Sequence, residues 1–526
     1  MEAVKNSNGK KHVAHRRDMW VQQRQGERQH ADPSRMVTKE GRTGQLCPRV
    51  TIDVLPDTVL LEGFEFYLGK DGADKIDKDY NYDGWQTLVH VCRRWRCIVF
   101  ASPRRLDLKL CCTQERLVKS KTLDIWPTFP IVISAQYLQS KEDATNVIIA
   151  ALRHHNRVCK IRYYNWGFPD SFLNKFAAID EPFPELTSLG LLSNRNPPVF
   201  PDSFLGGSAP RLRSLDLTGI PYLSIGKLLS STTNLVRLSL HRIPQSGYIA
   251  PETIVPCLST LARLESLSLG LQDPRSRDHR ASRHPPPLTR VVFPNLTSLG
   301  LSGDIEYSED ILSQIETPIL NDCRFRFFNQ LVFDTPLLWH FIRRTETFTT
   351  IRTAHVQFFS WAVGITFLGR KKIANNKWEA LLRLEITCEP FDWQLSALAQ
   401  VLNSLSFSLP TLESLDIAVY HEDWQDEIQV EVTQWREILH PFTSVNEITL
   451  ETEDSVRLIA PALQELAGER GTEVLPALQK LSLMAYRSEL SGPVKEATEQ
   501  FIAARQLYGH PVTAHYIDTI FEEHAR

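Results

Sequence analysis

Several features are missing from this 526-residue chain, and each absence narrows its function. No apolar run approaches the roughly 20 residues that span a bilayer. The start, MEAVKNSNGKKHVAHRRDMW, has no apolar stretch suited to a secretory signal. Both point to an intracellular chain with no membrane partner. The nine cysteines are odd in number and scattered, and none forms a C-x-x-C pair, which argues for reduced thiols rather than a disulfide framework or a zinc knuckle. A phosphate-binding glycine loop, an H-E-x-x-H helix and a G-x-S-x-G elbow are absent too. The expectation is a non-catalytic protein that needs no metal and no cofactor. His154-His155 do not alter it, because adjacent helical residues point about 100° apart and make poor joint ligands.

Charge is small overall, at −3, and unevenly spread. Residues 1–49 carry 11 Lys/Arg against 5 Asp/Glu, which leaves −9 for the remainder. That opening segment lacks apolar periodicity and reads as a disordered basic tail. Its alternative, a nucleic-acid patch, would predict binding that weakens steeply with salt, but its charges form no block.

What the chain does have is repetition. ELTSLGL at Glu185, RLRSLDL at Arg211, NLVRLSL at Asn234, RLESLSL at Arg263, NLTSLGL at Asn295, TLESLDI at Thr411 and ALQKLSL at Ala477 are copies of x-L-x-x-L-x-L. Looser versions begin at Val158, Leu320, Ile351, Leu381 and Val445, giving twelve units spaced 23 to 33 residues apart. The last two leucines of the motif sit two apart and share one face of a short strand. A parallel neighbour then requires a crossover, and stacking is how each unit buries its leucines. This predicts an α/β fold: an irregular leucine-rich-repeat solenoid of about 12 repeats over 157–510. The Asn or Cys that commonly follows the last leucine by three is replaced by Ile220 and Ile243.

Outward positions of the motif are the third, fifth and seventh. Ser214, Ser239, Ser266, Ser268, Ser298, Gly300 and Ser302 make the middle of that face small. Lys160, Arg162, Tyr164, Arg237, His241, Arg324 and Arg326 make parts of it large or basic, and Asp416, Glu447 and Glu451 turn its end acidic. The basic residues are candidates for an acidic or phosphorylated peptide, since arginine forks match phosphate geometry; the other reading is solvated strand residues. RSRDHRASRHPPPL, from Arg275, interrupts one repeat as a polar insertion.

Upstream, Trp85–Leu106 reads as one amphipathic helix, with Trp85, Leu88, Val89, Cys92, Trp95, Ile98 and Val99 on a stripe and Ser102-Pro103 as the stop. Before it, Leu55-Pro56-Asp57 starts a helix carrying Val59, Leu60, Phe64 and Tyr67. The polar insertion at 70–84 sets Asp77, Asp79 and Asn81 at calcium-loop spacing, but Tyr82 and Leu88 stand where glycine and glutamate are required, so it reads as a loop.

The leading Leu-Pro, the first helix, VCRRWR at Val91 and the continuation IVFASPRRLDLKL resemble the F-box of fungal F-box proteins with C-terminal leucine-rich repeats. The segments DIWPTFPIVI and FFNQLVFDTPLL add to the likeness, which covers nearly everything from residue 50 onward. It implies a small all-helical F-box at 50–110, a linker or cap at 111–156, the repeats, and a C-terminal tail at 511–526. It also implies docking on the Skp adaptor of a cullin-type ubiquitin ligase, with the repeats holding a target protein. By position, Leu55, Pro56, Leu60, Leu61 and Phe64 would form the first contact segment, and Leu88, Val91, Cys92 and Trp95 the second. Some of these would face the adaptor and others the domain's own core, with Trp95 as anchor. Gly63, where the family usually has isoleucine, and the 70–84 insertion depart from the pattern and leave a non-ligase interaction scaffold as the alternative.

Overall fold

A computed structural model describes residues 52–68, 84–113, 129–136, 148–164, 171–193, 200–201, 203–221, 226–274, 289–373, 377–405, 411–420, 432–466, 473–484 and 492–517. The basic tail, the calcium-like spacing at 77–81 and the insertion from Arg275 lie outside them. The chain divides into two compact units, Met1–Gly63 and Phe64–Arg526, with the boundary inside helix α1 (Asp57–Tyr67). In the first unit a short 3-10 turn, Ile52–Val54, leads into that helix. Proline at 56 accepts the first helical bonds from Val59 and Leu60, and Asp57 sits in the first turn, where the helix dipole favours an acid.

The second unit begins with two helices where the sequence predicts one. Helix α2 (Gly84–Val91) ends and α3 (Arg93–Ala101) starts around Cys92, whose backbone is extended (φ −156°, ψ 170°). The cysteine sulfur accepts the Trp95 amide at 3.4 Å and caps α3. Apolar periodicity carries across this break because both helices bury the same stripe: Trp85, Leu88 and Val89 from one, Ile98 and Val99 from the other. Ser102 ends α3 as expected.

Strands follow in order: β1 (Leu110–Thr113), β2 (Ile131–Gln136), β3 (Val158–Tyr164), β4 (Ser188–Leu192), β5 (Ser214–Thr218), β6 (Arg237–Ile243), β7 (Ser266–Leu271), β8 (Val291–Val292), β9 (Ser298–Gly303), β10 (Ile315–Glu316), β11 (Asp322–Phe328), β12 (Ile351–Phe359), β13 (Ala362–Ile373), β14 (Lys377–Thr387), β15 (Ser414–Tyr420), β16 (Glu447–Leu450), β17 (Lys480–Met484) and β18 (Thr513–Ile517). All but β8 and β10, which pair with each other, form one 16-stranded sheet. Each of the twelve motif positions lies in a strand or two residues before its start, so the leucine spacing alone located them. Strands β1, β2 and β18 extend the sheet into 111–156 and 511–526, beyond the counted repeats.

Helices cover the buried face: α4 (Ser171–Ala177), α5 (Gly226–Ser231), α6 (Pro251–Ser259), α7 (Ile305–Gln314), α8 (Pro336–Arg344), α9 (Phe391–Ser404), α10 (Val432–Leu439), α11 (Glu453–Leu466) and α12 (Gly492–Leu507). Side chains also join one repeat to the next. The asparagines just before the first leucine, Asn234 and Asn295, donate to Pro210 O (3.0 Å) and Ala262 O (2.8 Å) of the preceding repeat. Hydroxyls of Thr187, Thr297 and Thr513 reach back likewise to Cys159, Glu265 and Gln479.

One segment breaks the regular stacking. The sheet order runs β11, β14, β13, β12, β15, and β13 is antiparallel to both its neighbours. The cause is the two-residue connection Ser360-Trp361, far too short for a crossover, which folds β13 back on β12 as a hairpin. The 30-residue step from Ile351 to Leu381, read in sequence as one repeat, therefore holds three strands.

Candidate functional site: the polar face of the sheet

Period-two alternation puts the motif leucines inside and the third, fifth and seventh positions outside; β5 and β9 alternate buried and part-exposed residues without exception. All seven basic or aromatic candidates from the sequence lie on that outward face: Lys160, Arg162 and Tyr164 on β3, Arg237 and His241 on β6, Arg324 and Arg326 on β11. The register draws them into two groups. Lys160 aligns with Ser188, Ser214 and Arg237, while Arg162 aligns with Gly190 and Asp216, and Thr218 with His241. Small residues of β7 and β9 separate these from Arg324 and Arg326.

The first group centres on Asp216. Tyr164 reaches across β4 to donate its hydroxyl to Asp216 Oδ2 at 3.2 Å. Only glycine permits this crossing, because a Cβ on Gly190 would lie 2.7 Å from the tyrosine oxygen. Burial pushes the Asp216 carboxyl up, against the nearby His241 and hydrogen bonds from Tyr164 and Ser239. Burial also pushes His241 down, with Asp216 opposing it. Lys160 is lowered, first by burial and then by the like charges of Arg162 and Lys109. Gly190→Ala is expected to swing Tyr164 off Asp216 while leaving the buried leucines in place. Tyrosine fluorescence is too diffuse to read this among 13 tyrosines. The ring resonances of labelled Tyr164 would serve, and an unchanged spectrum would refute the crossing.

In the second group the arginines are paired. Arg324 bonds Asp322 at 2.9 Å, and Asp322 also accepts Ser298 Oγ at 3.1 Å. Arg326 holds Glu385 at 2.6 Å, with its guanidinium carbon 6.0 Å from the Trp361 ring centre. These two cations are thus matched by carboxylates of the same face, and the bare basic stretch offered by sequence is not what the fold builds there.

Sequence reasoning missed a second feature. Trp361, Phe359 and Tyr420 form a stack with ring centres 5.7 and 5.5 Å apart and planes within 18° and 15°, and Trp361 and Tyr420 remain 48% and 45% exposed. Beyond them His355 Nε2 lies 2.9 Å from Glu451 Oε2, and Lys480 pairs with Glu447 at 2.6 Å. Burial opposes the charged His355 ring, but the Glu451 bond and the charges of Glu451 and Asp416 outweigh it and raise its pKa. Burial raises the carboxyl of Asp416. Trp361 lies in the hairpin turn, outside any leucine frame, so only the hairpin itself would have revealed the stack.

The helical segment sorts its candidates differently. Phe64 and Leu88 are buried, as are Leu60 and Leu61. Leu55, Cys92 and Trp95 are half-buried, with the Trp95 ring 4.7 Å from that of Phe64. Pro56 and Val91 are exposed, and Phe66 and Tyr67, which were not among the nine, stand 83% and 52% exposed.

No family model matches the chain, and no curated protein does. Among solved structures, the leucine-rich repeat-containing protein LegL7 from Legionella pneumophila is similar at 14% identity, over 62% of this chain and 93% of that one. The TM-score is 0.26, too low to equate the two folds. The class defined by the chain's own topology is a mixed α/β protein of repeat type, built on one large, mainly parallel sheet. Among the described residues no helix is long and apolar enough to cross a membrane.

Proposed function

We propose that the chain is the substrate-recognition subunit of a Skp–cullin–F-box ubiquitin ligase, an F-box protein whose leucine-rich repeats hold a target protein on the polar face. The observation that carries this reading is the exposed apolar surface of the helical segment. Phe64, Leu88, Val89 and Val99 already give that segment a core, yet Phe66, Tyr67 and Val91 remain in solvent. Large apolar side chains that cluster outside a satisfied core mark a binding surface, and this reading takes the three as one such cluster. Chemistry in such a complex would belong to the partners, and this chain would act by holding the target.

Gly63 supports the second reading, a non-ligase interaction scaffold: a Cβ there meets nothing within 4 Å, so α1 lacks a side chain where a partner would find one. Co-purification of the full chain with the Skp adaptor separates the two. Stoichiometric capture is expected for the natural chain, with at least a tenfold loss for Phe66→Ser/Val91→Ser, at most a small change in melting temperature since both residues are exposed, and a gain for Gly63→Ile. A folded natural chain that captures no adaptor would remove the ligase reading and leave the scaffold.

A further inference from the structure

The hairpin β12–β13 has a consequence on the opposite side of the sheet. The parallel crossovers through α7, α9 and α11 each lay a helix over the sheet, but a two-residue turn lays none. Strands β14, β13 and β12 therefore share the cover of α8 and α9, and the helical layer parts there: α8 packs on α7, and α9 on α10. One end of the parting is clipped shut by buried Phe333, whose amide donates to Gln400 Oε1 at 3.0 Å and whose carbonyl accepts Ser404 Oγ at 3.4 Å.

Leu405, the residue after Ser404, helps to line a cavity of about 250 Å³ in this parting. Its floor is Ile351, Phe367 and Leu382, one buried residue from each of the three strands, and its wall is Trp339 and Ile342 of α8. The polar groups collect at the rim, where Arg343 is exposed together with Thr349 and Thr411. An engineered apolar cavity of roughly 150 Å³ holds benzene, so this one has room for a ring or short chain with a head group. The Arg343 guanidinium beside an apolar lining selects that head group by charge.

We propose that this cavity is a binding site for a small amphipathic anion, an apolar chain or ring ending in a carboxylate, with the apolar part on Phe367 and Leu382 and the carboxylate at Arg343. Its ligand would fill the parting between α8 and α9 and stabilise the repeats on either side. The site is independent of any adaptor docking.

Octanoate and neutral 1-octanol, added to the full chain, test it by ligand-observed NMR and thermal melting. Saturable submillimolar octanoate binding with a raised melting temperature is expected. Arg343→Met should weaken octanoate about tenfold and leave 1-octanol unchanged. Thr411→Trp, at an exposed position, should block both. Absence of saturable octanoate binding to the folded natural chain would overturn the site. Binding indifferent to Thr411→Trp would overturn its location, and equal effects of Arg343→Met on both ligands its chemistry.

Discussion

Replacing Trp85 with alanine is expected to lower stability by about 3–5 kcal/mol, the range for removing a large buried aromatic. Trp85 is 3% exposed and fixes α2 to the start of the sheet. Its indole nitrogen donates to Lys109 O at 3.1 Å, one residue before β1. Its ring meets Phe129 edge-on at 5.6 Å, just before β2, and Phe100 of α3 at 6.3 Å. Alanine would empty that volume and strip the Lys109 carbonyl of its donor, while Trp85→Phe keeps most of the ring contact and should cost about 1–2 kcal/mol. Repeat proteins open locally, since each unit leans only on its neighbours. Hydrogen exchange should accordingly rise across α2, α3, β1 and β2 and hardly change beyond β7. Denaturant melts of the three forms give the energies, and a Trp85→Ala chain within 0.5 kcal/mol of the natural one would contradict the packing described.

The same anchoring shows which features sequence can disclose. Leucines two apart, repeated at crossover spacing, can be satisfied only by stacked parallel strands, so the twelve strand positions were legible. LCCT, IVISAQ and TAHYI carry no leucine signature, and β1, β2 and β18 passed as linker and tail. The hairpin escaped because its turn, Ser360-Trp361, has only the weak signal of a serine and none of the glycine or asparagine that two-residue hairpins favour. The break at Cys92 escaped because a thiol is a weak acceptor and the apolar stripe continues past it.

For the polar face, alternation found the charged side chains but could not find their partners. Arg326 meets Glu385 from 59 residues away, and Tyr164 meets Asp216 from 52. Such pairings follow from strand order, which for β12 to β14 runs against the chain. Arg324 and Arg326, two of the basic side chains read from sequence, thus became members of ion pairs in the fold. Exposed pairs of this kind contribute little stability, so their effect is to set which charges the outward face presents.

Glu309 is where a second large effect is expected. Its side chain belongs to α7 but serves α8, accepting the amides of Leu337 at 2.7 Å and Leu338 at 2.9 Å. Proline at 336 occupies the first turn of α8 and has no N–H to offer, and the residue before it, Thr335, makes no side-chain cap. The first free amides of α8 therefore depend on a carboxylate that is itself 2% exposed, placed where the helix dipole favours negative charge. Glu309→Ala would leave those two amides, one half-buried and one buried, without an acceptor. At about 1–3 kcal/mol for each orphaned group, the expected loss is roughly 2–6 kcal/mol. Glu309→Gln keeps a carbonyl acceptor and should recover more than half of it. Since α8 supplies Trp339 and Ile342 to the cavity wall, the alanine variant should also weaken octanoate, whereas Tyr164 and Asp216, many strands away, should keep their hydrogen bond. Denaturant unfolding of the two variants decides the matter. Equal stabilities for alanine and glutamine would mean that the carboxylate acts through charge alone, and the cap across repeats would have to be abandoned.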